Sequence, residues 1–131
     1  HHLVDVPRAL AEIARVVADG GCYITEFANK RHVKAILRYI LRRQSENPFS
    51  LPPHEFVELN LDFHPRWMEQ ELARVGLRVE ARRAVSHFRV GWLKRHVPLR
   101  LLVAADRALQ RVGGLWPWTP SVFVRAHKGR Q

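Results

Sequence analysis

The chain has 131 residues, and its 22 Lys+Arg against 12 Asp+Glu leave a formal charge of +10. That length suits one domain, and 47% hydrophobic with 26% charged residues separates it from the compositions that stay disordered. A single cysteine, Cys22, excludes an internal disulfide and a cysteine-rich structural zinc site, which suits a reducing, cytoplasmic setting. No apolar run approaches the roughly 20 residues of a bilayer span, and the first residues lack the basic-then-apolar order of a secretory signal. A chain neither transmembrane nor exported is expected.

Residues 5–17 read as an amphipathic helix, with Leu10, Ile13, Ala14 and Val17 at i, i+3, i+4 and i+7. Asp5 and Pro7 start it and Gly20-Gly21 close it. The following 22–27 segment, CYITEF, is short, aromatic and β-branched, and reads as a buried strand. A second helix is expected over about 30–43, with Val33, Ile36, Leu37, Ile40 and Leu41 on its apolar face and basic residues elsewhere. The prolines at 48, 52 and 53 make 44–53 a loop, and 55–62 holds a short extended piece.

A third helix opens at 63–67 with Pro65 in its first turn, buries Trp67, Met68, Leu72 and Val75, and stops at Gly76. Residues 77–86 read as a strand that carries apolar positions between arginines, and 92–112 as a longer helical stretch divided by Pro98. In that stretch Asp106 interrupts the apolar face. Residues 121–126, SVFVRA, form the last strand.

The run HHLVDVPRALAEIARVVADGGCYITEF resembles the segment of class I S-adenosylmethionine-dependent methyltransferases (the type 11-like group) that leads from the end of the fourth strand through a helix into the fifth. The resemblance is carried by His1, His2, Leu10, Glu12, Ile13, Arg15, Val16, Gly20 and Gly21. Downstream, HPRWMEQELARVGLRVEARRAVSHFR and PSVFVRAHK are similar to that family's later helix, sixth strand and seventh strand. It implies an α/β fold, the C-terminal part of a Rossmann-like methyltransferase domain. A three-stranded mixed sheet is expected, with the last strand antiparallel in the middle and helices on both faces. Residues 87–120 become a helical insertion, or lid, between the last two strands.

The resemblance also implies S-adenosylmethionine as cofactor and a small-molecule methyl acceptor. The family holds its cofactor with a glycine-rich turn and an acidic strand end, and no glycine pair here has the G-x-G spacing. The chain therefore reads as the half that lacks the main cofactor cradle, inactive by itself. The strand at 22–27 would lack a neighbour and expose an edge, open to the missing N-terminal half or to self-association.

By the same resemblance, His1 and His2 lie where the cofactor passes, against the plainer reading of a frayed terminus. Glu26 and Phe27 end a strand where open α/β sheets place ligands. A carboxylate there can take a proton from a nucleophile, or it can cap the next helix or pair with Lys30. Phe63, His64 and Trp67 form an aromatic cluster able to close over a substrate or to pack into the core. The eight histidines are scattered without metal-ligand spacing, and His87, His96 and His127 read as surface residues.

The +10 balance would attract nucleic acid, anionic membranes or acidic ligands alike. No helix-turn-helix or RNA-binding signature is present, so a nucleic-acid partner is not expected. The 92–118 region, with Trp92, Leu93, Leu99 and Trp116 beside Lys94, Arg95 and Arg100, packs on its own domain as a lid. The alternative is peripheral contact with an anionic membrane, with a lipid-like acceptor as its corollary.

Overall fold

The structure is a computed structural model and describes residues 2–58, 60–85, 87–88, 91–115 and 119–129. Its elements in order are α1 (Val6–Val16), β1 (Cys22–Ala28), α2 (Val33–Ile40), β2 (His54–Val57), β3 (Asn60–Asp62), α3 (Pro65–Arg74), β4 (Leu77–Val85), α4 (Gly91–His96), α5 (Leu99–Leu115) and β5 (Ser121–Lys128). The main sheet has the order β1-β5-β4. Both of its pairings are antiparallel, so β1 and β4 run the same way on either side of a central β5 that opposes them. The last strand does lie in the middle, but a sheet with only antiparallel pairings is not mixed. β2 and β3 form a small antiparallel hairpin where a single extended piece was expected.

Local signals account for most of the element ends. The Asp5 side chain accepts the Arg8 amide at 3.0 Å and caps α1, and Pro7 occupies the first turn, where a missing N–H costs nothing. The helix stops before the glycines: Val17 is already extended, and Gly20, at φ 75°, belongs to the turn into β1. The orphan carbonyls at the end of α1 are taken instead by Lys128, whose Nζ donates to the oxygens of Ala14 (2.9 Å) and Val17 (2.8 Å). A cation there also complements the helix dipole. Gly76, at φ 80°, follows the C-cap of α3 in the left-handed conformation that favours glycine.

The core lies on one face of the sheet. Val122, Val124 and Ala126 alternate along β5 and pack with Phe27 of β1 and Leu77 of β4, as the two-residue period of a strand requires. Val6, Leu10 and Ala14 of α1 and Met68 and Leu72 of α3 cover them. α5 lies against β4 and contributes none of its described residues to this cluster.

One expectation fails on burial, and a second element is unusual in what it exposes. β1 alternates between exposed and half-buried positions up to Phe27, because one of its faces is uncovered and Ile24 stands open to solvent. α2 buries only Ala35, and its apolar residues Val33, Leu37, Ile40 and Leu41 are exposed.

Candidate functional site

The carboxyl end of β1 is joined to two other segments by one residue. Asn29, almost fully buried, donates its backbone N–H to the Pro120 carbonyl at 2.8 Å and its side-chain amide to the Thr119 carbonyl at 2.8 Å. Its Oδ1 accepts the Arg31 amide at 2.9 Å. Beside it Phe63 donates its N–H to the Ala28 carbonyl (2.8 Å) and accepts from the Lys30 N–H (3.1 Å), a parallel bridge on the side of β1 away from β5.

Gly21 and Asn29 both bond toward β5, so by the alternation of an antiparallel ladder Cys22, Ile24 and Glu26 turn their backbone groups to the open edge. Among the described residues that edge is closed only at Ala28. The expected open strand edge is therefore present along most of β1 and absent at its carboxyl end.

Within this junction lies a concavity of about 320 Å³ lined by Glu26, Phe27, Ala28, Phe56, Asp62, Pro120 and Ser121. Ser121 Oγ donates to Glu26 Oε1, which fixes that carboxylate across the β1–β5 pair. Burial pushes the Asp62 carboxyl above the usual carboxylate range, opposed in part by the positive charges of His54 and Lys30.

Lys30, next to Asn29 in the chain, has almost no exposure. Its Nζ donates to Ser50 Oγ at 2.8 Å and to the Pro52 carbonyl at 2.5 Å, and Glu46 lies 3.6 Å away. Burial lowers its pKa against the pull of Glu46 and Asp62. Lys30 thus ties the 44–53 loop to the end of β1 and pairs with Glu46, not Glu26.

The residues singled out in the sequence divide among several places. Glu26 and Phe27 line the concavity. Phe63 and Trp67 stack on each other with centroids 5.4 Å apart, Phe63 inside the core and Trp67 packed against it. His64 is buried at the start of α3, where its ring nitrogen accepts the Arg66 amide at 3.2 Å. It borders a separate concavity of about 420 Å³ with Arg31, Phe49, Leu51, Arg66 and Gln70. His2 is exposed, and His1 lies outside the described residues.

His87, expected at the surface, is mostly covered. It pairs with Asp106, Nδ1 to Oδ1 at 2.8 Å, which explains the acidic residue interrupting the apolar face of α5. Among the described residues no group of three His, Cys, Asp or Glu side chains is placed to hold a metal ion. No helix among them is long and apolar enough to cross a membrane.

Sequence reasoning missed Asp62, Ser121 and Asn29. The first lies in a segment read only as extended, and the other two gain their meaning from contacts about ninety residues away along the chain. Chemically, the concavity offers one carboxylate held by a serine and a second whose raised pKa brings it toward the range of a general base. No protein-family model matches the chain, and no curated protein matches it.

Proposed function

We propose that the chain forms the acceptor-side portion of a class I S-adenosylmethionine-dependent methyltransferase of Rossmann-like fold, acting on a small-molecule acceptor. The observation that carries this reading is the strand order β1-β5-β4, with the last strand of the chain inserted antiparallel between two strands that run together. That is the arrangement the sequence resemblance implies. The placement of Glu26 and Phe27 in a concavity at the carboxyl end of β1, where open α/β sheets bind ligands, supports it.

The pocket lining contains two carboxylates, a hydroxyl and aromatic rings, and no glycine turn opens onto it. Those residues suit an acceptor, and the described residues do not by themselves fit the nucleoside-bearing donor. The donor, when bound, supplies an activated methyl group, and what remains for this chain is positioning and proton removal. In the proposed site the side chain of Phe56 and the Ser121-held carboxylate of Glu26 orient the acceptor, while the Phe27 ring is turned into the core beneath them. Asp62 takes the proton that the acceptor's hydroxyl or amine loses, because partial burial makes its carboxylate more basic than an exposed one.

The reading is tested first on the coding sequence ahead of residue 1. A strand, a glycine-rich turn and an acidic strand end in the same frame are expected, and their absence there removes the class. With that segment included, Asp62→Asn should lower the methyl-transfer rate by roughly 10²–10⁴ with little change in thermal unfolding. The present chain alone should show no tight calorimetric binding of S-adenosylmethionine, and tight binding would show that the donor's cradle lies within it.

A further inference from the structure

α2 is amphipathic in sequence but turned the wrong way for a helix that packs on its own domain. At about 100° per residue, Ala35, its only buried residue, falls opposite Val33, Leu37 and Ile40. Those three and Leu41 form an apolar stripe that faces solvent, with Leu37 52%, Ile40 65% and Leu41 61% exposed. The helix is held from its inner side, by Ala35 and by the edge-on contact of Tyr39 with Phe49 at 6.4 Å.

The charge beside the stripe has one sign. Residues 31–43 contain Arg31, Lys34, Arg38, Arg42 and Arg43 and no acidic residue; Lys34 and Arg38 line one flank of the stripe by the same helical spacing, and Arg42 follows the helix in a left-handed conformation, at φ 55°. A second element of like character leaves the sheet at the same end. Ala28 and Val85 are both level with Ser121, so α2, after β1, and α4, after β4, depart from one end of the sheet. α4 carries Trp92, 64% exposed, beside Lys94 and Arg95.

We infer that this end of the molecule docks on an anionic phospholipid bilayer, with the Val33, Leu37, Ile40 and Leu41 stripe of α2 seated among the lipids and its arginines and lysines at the headgroups. Cations without acids select an anionic surface, and long basic side chains reach to the headgroup level from a helix lying in the interface. Aliphatic side chains beside the cations distinguish lipid from nucleic acid, whose phosphate backbone offers nothing for Leu37 and Ile40 to enter. The inference stands apart from methyl transfer, since docking needs neither donor nor acceptor.

The test is flotation of the intact chain with vesicles of phosphatidylcholine alone and of phosphatidylcholine mixed with phosphatidylglycerol. The chain should float with the mixed vesicles and not with the neutral ones. L37E/I40E and K34Q/R38Q, all at exposed positions and checked for unchanged circular dichroism, should each reduce binding by roughly tenfold or more.

Equal binding to neutral vesicles, or no binding to either, overturns the inference. So does L37E/I40E binding like the parent, which would reduce the contact to adsorption by charge. Tighter binding to duplex DNA than to mixed vesicles assigns the face to nucleic acid. A dimer in sedimentation equilibrium that L37E/I40E dissolves assigns it to a second copy.

Discussion

α3 and α2 are both short helices opened by a histidine, yet they use their apolar residues in opposite ways. α3 has few apolar residues and buries Met68 and Leu72, together with Glu71, which Arg74 pairs at 2.5 Å. α2 is the more apolar of the two and buries only Ala35. The difference comes from what flanks each helix. α3 lies between the hairpin and β4 and shares the covered face of the sheet with α1, so its stripe meets Phe27, Leu77 and β5. α2 leaves the end of β1 and runs into the loop that Lys30 anchors, and none of the described residues covers its stripe. Amphipathicity therefore specifies that a helix has an apolar side, while the tertiary contacts specify whether that side is covered.

The sharpest way to break this contrast is a matched pair of truncations. Leu72 is fully buried, so Leu72→Ala should cost about 2–5 kcal/mol through lost transfer energy and a residual cavity, read as a lower midpoint of urea unfolding with an unchanged slope. Leu37→Ala removes the same atoms from an exposed position and should change stability by no more than about 0.5 kcal/mol. A Leu37→Ala cost comparable to that of Leu72→Ala would mean that the α2 stripe is covered in solution.

The same contrast explains what could be read from the chain beforehand. Asp5, Pro7 and Gly76 act through neighbours a few residues away, so α1 and the end of α3 were legible from local chemistry. The order of the main elements was legible too, while the central position of β5 was expected only from the family resemblance and not from any local signal. The outward turn of α2 was not, because Val33, Leu37 and Ile40 have the same spacing whether a sheet or solvent lies over them. Glu26 and Phe27 stood out as the end of a strand, but Ser121 and Asn29 carried no local mark. Each joins the end of β1 to the start of β5 across about ninety residues of chain, and the folding of that stretch sets the contact.

The histidine caps give a second comparison, read in pH. His64 accepts the Arg66 amide, a bond available only to a ring nitrogen without a proton. Burial first, then the positive charges of Arg31, Lys30 and Arg66, lower its pKa from 6.5 to about 4. Between those values the unfolded chain binds a proton that the folded chain refuses. Stability from this residue is thus complete above about pH 6.5 and falls as the pH drops toward 4, by up to about 3 kcal/mol.

His64→Asn keeps a capping oxygen and should remove that slope, so the difference between parent and variant in urea midpoints from neutral to acid isolates it. At α2 the cap His32 is lowered as well, by burial and then by Arg38 and Lys34. Because α2 covers so little, His32→Asn should leave the global acid response close to that of the parent.

Asp106 extends the comparison to α5, which lies against β4. Unlike α2, α5 has a polar anchor: one Asp106 oxygen meets the His87 ring at 2.8 Å and the His87 amide at 3.3 Å, while the other accepts from Gln110 at 3.1 Å. Burial raises the carboxyl pKa, but the hydrogen bonds from His87 and Gln110 outweigh it and hold the group below the usual carboxylate range. A depressed folded pKa places this contribution above the unfolded value near 3.8, and it disappears as the pH falls through the folded one.

Asp106→Ala at neutral pH should therefore cost about 1–2 kcal/mol, the range for losing hydrogen bonds that satisfy partly covered partners. Its main effect should be local. Amides of α5 should exchange faster with solvent while those of β5 keep their protection, since the anchor joins α5 to the end of β4 and not to the core. If β5 amides lose protection equally, α5 unfolds with the sheet as one unit, and the division between a covered face and loosely held end elements does not hold for this helix.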